Sequence, residues 1–310
     1  MRILVLGAGG VGGYFGGRLV QAGGDVTFLV RDRRAAELAA NGLVIKSPFG
    51  DATLRVQTLR PGELSAPFDL VLLCCKAYDL DSAIESIAPA VGPATAVVPL
   101  LNGMKHLDRL DGRFGAARVL GGLCAIAATI GADGRIEHLN KVHRLVFGLR
   151  DGQTSEHAAA FAALLARANF DSAQSDVILQ EMWEKFVMLA SLAGMTCLMR
   201  APVGAILATA EGEALMGEFL GECSAIAAAA GYAPRAPSLA RGRALLTERG
   251  STFTASMLRD IERGGPTEGD HILGDLLTRA RALGITAPLL RTAVCHLEAY
   301  QARREMERTS

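Results

Sequence analysis

No excess of either charge is present in this sequence: 32 lysines and arginines face 32 aspartates and glutamates. Such a balance leaves no global field to draw in nucleic acid or an anionic membrane surface, so neither is expected as a partner. Near the C-terminal end the arginines from Arg303 to Arg308 alternate with glutamates and read as a solvated helix end. Cysteine is sparse, with six residues at 74, 75, 124, 197, 223 and 295. No spacing among them suits a zinc site, Cys74 and Cys75 are adjacent rather than spaced as a redox pair, and the histidines add no metal signature. Free, mostly buried thiols in a reducing cytosol are therefore expected, and no metal. Long hydrophobic runs are missing too. The opening MRILVLGAGG has too short an apolar run and too much glycine for a signal peptide. The apolar tract 186–199 is shorter than the roughly 20 residues of a membrane span. A cytoplasmic protein is the expectation.

What is present is an ordinary globular composition, half apolar and 21% charged, over 310 residues. That length allows one large domain or two of usual size, with a substantial core either way. The first half alternates short apolar runs with helical patterns. Strands are predicted at 2–6, 26–30, 69–74 and 96–100, with helices at 11–22, 34–40 and 80–88. Alternation of this kind implies right-handed crossovers and a mainly parallel sheet. Between 118 and 147 short strands break at the turn signal Gly131-Ala132-Asp133-Gly134, which predicts an antiparallel extension of the sheet. Beyond about residue 171 helical patterns take over, at 177–199, 203–208, 211–230, 237–247, 269–283 and 288–304. Two domains are expected: an α/β domain over 1–174 and an all-helical one over 175–310.

The first strand runs into GAGGVG, residues 7 to 12, which fits G-x-G-x-x-G. Gly7 permits the tight turn, Gly9 lets backbone approach a pyrophosphate, and Gly12 lets the helix pack close to the strand. The amides from Gly9 through Gly10 and Val11 to Gly12 then supply donors at a positive helix end. Alone the match could be a plain turn, but its place between a buried strand and a helix marks a dinucleotide site. About 20 residues on, an acidic side chain would hold the ribose of NAD. Here VTFLVRDRR places Arg31 in that neighbourhood, with Arg33 and Arg34 close by, and a guanidinium suits the 2′-phosphate of NADP. Asp32 is the counter-evidence.

Two further loops follow predicted strands, where open α/β sheets bind ligands. Lys76 in LLCCKAYD reads as a ligand contact or a surface charge, and Asn102-Gly103 in PLLNGM as a site or a turn. In EMWEKFVMLASLAGM a single cation, Lys185, begins an apolar helical face continued by Leu189 and Ala193. It could be a lysine snorkelling from a helix end or a group with chemistry to do.

With these motifs in place the chain resembles the ketopantoate reductase family over nearly its full length. The resemblance rests on GAGGVG, Arg31, CKAYD around Lys76, LLNGM around Asn102, WEKF around Lys185, and SMLRDIERGGPTEGD from 256 to 270. It implies an N-terminal Rossmann domain, a helical C-terminal domain and an active site in the cleft between them. The implied reaction is reduction of the C2 ketone of ketopantoate (2-dehydropantoate) to pantoate with NADPH, a step towards pantothenate and coenzyme A. By the same resemblance Lys185 matches the catalytic lysine that protonates the forming alkoxide. Asn102 joins its cluster, Glu268 contacts the hydroxyl end of the substrate and the catalytic centre, Ser256 binds substrate, and Lys76 lies beside the cofactor.

The chemistry is coherent on its own terms, since a cationic lysine can both give a proton and stabilise developing negative charge. An apolar cleft would lower the pKa of that lysine and a neighbouring glutamate would raise it. One departure stands out. Family members commonly place asparagines one and two turns after the lysine, in a pattern ending in Asn-Pro, to bind the substrate. This chain has Leu189 and Ala193, then Gly194. Each lost bond to a charged group is worth about 1.5–3 kcal/mol, one to two orders of magnitude in affinity. Two other readings therefore stand beside ketopantoate reduction: a paralogue acting on a different 2-oxo acid or ketone, and a non-catalytic NADP-binding regulator. Apolar faces in the helical half permit a homodimer without requiring one.

Overall fold

The computed structural model describes residues 1–309. Its strands are β1 (Arg2–Leu6), β2 (Asp25–Leu29), β3 (Leu43–Lys46), β4 (Ala52–Leu54), β5 (Gln57–Leu59), β6 (Leu70–Leu73), β7 (Ala96–Pro99), β8 (Gly121–Ile130), β9 (Ile136–Gly148) and β10 (Asp171–Gln174). Its α-helices are α1 (Gly10–Gln21), α2 (Asp32–Asn41), α3 (Leu80–Ile87), α4 (Lys105–Phe114), α5 (Glu156–Leu165), α6 (Ile178–Met199), α7 (Val203–Leu207), α8 (Gly212–Ala229), α9 (Ala236–Leu246), α10 (Ser256–Glu262), α11 (Asp275–Ala282) and α12 (Pro288–Thr309). The chain divides into two compact units. One comprises Met1–Leu101 and His106–Ile178, the other Asn102–Lys105 and everything from Leu179 onward.

The first unit holds the expected α/β architecture. Strands β5, β2, β1, β6 and β7 lie in that order, all parallel, with Leu6 of β1 flanked by Leu29 and Leu73. β1 and β6 are read as near-continuous apolar runs because both faces are covered. The antiparallel pair expected around the Gly131–Gly134 turn signal forms as β8 and β9. It builds a mixed sheet of its own, in the order β10, β9, β3, β4 with β8 on the other side of β9, rather than lengthening the parallel one. The strands β3, β4, β5 and β10 were not expected from sequence: each has only three or four residues, too few to show a period, and each includes a polar residue, unlike the equally short but wholly apolar runs of β6 and β7.

Helix α1 explains its own odd composition, GVGGYFGGRLVQ. Glycine inside a helix costs about 1 kcal/mol relative to alanine. Here α1 lies between the two sheets, and a Cβ on Gly16 would stand 2.7 Å from the Phe28 ring of β2, one on Gly17 2.7 Å from Ile45 of β3. Close approach of both sheets buries Phe15, Leu19, Phe28 and Ile45 completely, about 1.5–3 kcal/mol for each such side chain. That gain outweighs the propensity cost.

The second unit is helical. α8 packs against α7, α9, α11 and α12. The predicted helix over 269–283 is interrupted: a π-turn, Asp270–Gly274, precedes α11. Helix α6 has 22 residues and is, among the described residues, the one helix long and apolar enough to cross a membrane by length and composition. The apolar tract 186–199 lies within this helix, whose span agrees with the helix expected over 177–199. Yet 72% of its most apolar window is buried inside the protein, and at Gly194 its backbone lies so close to α8 that an added Cβ would overlap the Phe219 ring.

Candidate active site

β1 delivers the glycine loop to the carboxyl end of the parallel sheet. Gly7 turns with φ +90°, Gly9 is the N-cap of α1, and Gly10, Val11 and Gly12 form the first helical turn. No side chain caps this end and no acid lies in the first turn, so its amides lack intrahelical acceptors and its dipole is unanswered. Space is open where a Cβ on Gly9 would be, whereas one on Gly12 would overlap the Gly7 carbonyl. An open approach, unpaired amides and a positive helix end fit a pyrophosphate.

Neighbouring strands bring further groups to the same edge. Lys76 is half-buried just past β6, capping a short 3-10 turn, Ala77–Asp79. Arg31 caps α2 just past β2, with its side chain 77% exposed, and its guanidinium meets the Asp79 carboxylate at 3.2 Å. Since β1 lies between β2 and β6, this ion pair spans the mouth of β1, beside the crevice where strand order reverses. Asp32, the counter-evidence against NADP, points to solvent and pairs with Arg60 at 3.4 Å.

In the second unit Asn102 and Lys185, 83 residues apart in sequence, meet: the Lys185 ammonium donates to Asn102 Oδ1 at 3.0 Å. Lys185 is half-buried on α6 between buried Glu184 and Phe186. Adjacent helical residues point in different directions, and Glu184 turns the other way, to a bidentate pair with Arg235 at 2.6 and 2.8 Å. The loop Asn102–Lys105 is held at further points. An added Cβ on Gly103 would stand 3.3 Å from His271 of the π-turn, and Lys105 Nζ meets Asp270 at 2.6 Å. Glu268 is buried two residues before that turn, and Ser256 is the half-buried first residue of α10. Burial lowers the pKa of His271 against the opposing pull of Glu268, so the ring is neutral near pH 7. Leu189 is half-buried and Ala193 buried on the face that Lys185 begins.

The structure thus brings together Asn102 with Lys185, and the glycine loop with Lys76 and Arg31 along one sheet edge. The loop anchors Lys105, Asp270 and His271 were not singled out from sequence, nor was Arg34, whose guanidinium donates to the Ala8 carbonyl within the glycine loop at 3.1 Å. Only the cluster RDRR hinted at the last.

Comparison with known proteins identifies the family of the chain. A family model described as Ketopantoate reductase PanE/ApbA matches residues 3–152, and the model of its C-terminal part matches residues 177–301. The chain belongs to the ketopantoate reductase family. Among similar proteins, the uncharacterized oxidoreductase YkpB of Bacillus subtilis is 38% identical over 98% of this chain and 100% of its own. A 2-dehydropantoate 2-reductase of Mesorhizobium japonicum is 27% identical over 94% of each chain. The crystal structure of 2-dehydropantoate 2-reductase from Geobacter metallireducens superposes with a TM-score of 0.88 at 31% identity, covering 96% of this chain and 99% of that one. The protein is accordingly an oxidoreductase of the ketopantoate reductase family, with its parallel α/β sheet, mixed second sheet and helical C-terminal part.

Proposed function

We propose that this family member is an NADPH-dependent reductase of a 2-oxo acid, with 2-dehydropantoate as the leading substrate and Lys185 as general acid. The observation that carries the reading is the Lys185–Asn102 hydrogen bond, 3.0 Å long, in a unit that also buries Glu268. Asn102 takes one ammonium hydrogen and orients the other two. A 2-oxo acid placed against Lys185 would receive a proton on its carbonyl oxygen, and the ammonium charge would stabilise the forming alkoxide. The dinucleotide, when bound, supplies the hydride. Gly7, Gly9, Gly10, Val11 and Gly12 hold its pyrophosphate, Arg31 its 2′-phosphate, and Lys76 lies beside it, all in the 1–174 part. Ser256 and Glu268 of the 175–310 part bind the acid substrate with Asn102 and Lys185. Six free cysteines support a reducing, cytoplasmic setting.

The test is oxidation of NADPH driven by 2-dehydropantoate, with a panel of other 2-oxo acids alongside. Lys185→Ala should lower kcat by about 10²–10⁴ and leave the Kd for NADPH near its original value. Full turnover in that variant would remove Lys185 from the mechanism. A second reading has its own observation: half-buried Leu189 and buried Ala193 continue the Lys185 face without an amide. A less polar 2-oxo acid suits that face, and faster turnover of such a substrate than of 2-dehydropantoate in the panel would favour it.

A further inference from the structure

Three arginines follow β2, and they differ sharply. Side chains of Arg31 and Arg33 are 77% and 91% exposed, while that of Arg34 is 13% exposed. Arg34 Nε donates to the Ala8 carbonyl at 3.1 Å, and its Nη1 donates to the Gly134 carbonyl at 2.8 Å and to Glu37 at 3.1 Å. Its Nη2 is buried with no partner. One guanidinium therefore joins the glycine loop, the first turns of α2 and the tip of the β8–β9 hairpin. The same hairpin touches the loop again, because a Cβ on Gly10 would stand 2.5 Å from the Ala128 carbonyl.

Leaving a donor of a buried cation unpaired is costly, so its other bonds must hold it strongly in place. A carbonyl held on one side of the chain fixes the plane of its own peptide and sends the trans amide of that peptide the opposite way. With the Ala8 carbonyl turned to Arg34, the Gly9 amide in the same peptide plane points the opposite way, at the N-cap where the first turn of α1 begins. A loop ordered before binding loses less entropy when ligand arrives. Resting on the reading of GAGGVG as the dinucleotide loop, we propose that Arg34 is its positioning residue. By bracing Ala8 against the hairpin tip it presets the pyrophosphate cradle, and it raises affinity for NADPH and NADH alike. Discrimination between the two is left to exposed Arg31.

The test compares Kd values for NADPH and for NADH, by calorimetry, in the wild-type chain and in Arg34→Gln, Arg34→Lys and Arg31→Gln. Arg34→Gln should weaken both nucleotides by the same factor, about ten- to one-hundred-fold. Arg34→Lys should fall between, since an ammonium lacks the fork that reaches two carbonyls at once. Arg31→Gln should instead change the NADPH to NADH ratio. Unchanged affinities in Arg34→Gln would overturn the proposal, and so would a loss confined to NADPH, which would make Arg34 a 2′-phosphate contact. Should Arg34→Gln fail to fold, hydrogen exchange of amides 8–12 in Arg34→Lys without nucleotide decides. Faster exchange supports the brace, and unchanged exchange refutes it. A wild-type chain that binds neither nucleotide would fail the cofactor reading, while the exchange measurement would still judge the brace by itself.

Discussion

Replacing Glu184 with glutamine removes a single charge next to Lys185 and tests how α6 is anchored. The Glu184 carboxylate has a side chain only 5% exposed and is held by the Arg235 guanidinium, the Arg235 backbone amide at 2.9 Å and the Gln180 amide at 3.1 Å. Burial pushes its pKa up, but the bonds from Arg235 and Gln180 prevail and bring it from 4.5 to about 2. At about 1.4 kcal/mol per pH unit this is worth roughly 3 kcal/mol at neutral pH. Arg235 is half exposed, so solvent screening reduces the figure to about 2 kcal/mol. Because the folded pKa lies below the unfolded one, the contribution is complete above about pH 4.5 and is lost as pH falls towards 2. The assay is urea unfolding followed by the chain's one tryptophan, Trp183, which is buried in the same helix. Glu184→Gln should lose about 2 kcal/mol at pH 7, and the deficit should shrink by about half at pH 3. Arg235→Met should cost more, about 3–5 kcal/mol, because it strands a buried carboxylate. Equal stability of Glu184→Gln and wild type at pH 7, or a deficit that does not vary with pH, would refute the reasoning.

Other consequences can be checked directly. Gly12→Ala drives a Cβ into the Gly7 carbonyl and to 2.9 Å from Cys74 Cβ; NADPH binding measured by calorimetry should weaken by about 10²-fold or more. Gly194→Ala meets the Phe219 ring and should destabilise by about 1–3 kcal/mol in denaturant, with partial recovery when Phe219→Leu is added. Burial holds the His271 pKa below 6.5, so the unfolded chain takes up a proton first and stability falls as pH drops through 6.5. His271→Gln should flatten that part of the profile, seen as unfolding midpoints at pH 8 and 5.5.

Local rules reached far into this fold. β1, α1 and β2 were legible because an apolar run, a glycine turn and a helical pattern each fit within a few residues of one another. The long helices of the second half were legible because several turns repeat the same period. The short strands β3, β4, β5 and β10 offered no such repeat. The π-turn at Asp270–Gly274 was invisible because it differs from an α-turn by one residue of hydrogen-bond spacing, which no composition announces. Lys185 was noticeable as a lone cation on an apolar face, but nothing near it in sequence pointed to Asn102 as its partner.

By itself the sequence determined the kind of elements, the glycine loop and the residue types available for chemistry, since these follow from backbone preferences and side-chain period over a few residues. Tertiary structure decided which of those residues meet. Lys185 and Asn102 are 83 residues apart, and Arg34 and Gly134 are 100 apart. Such pairs depend on sheet order, strand register and helix packing. Those in turn depend on burying apolar faces across the whole chain, a balance that no short stretch contains. For that reason Arg31 and Arg34, three residues apart and chemically identical, end one in water and the other under the glycine loop.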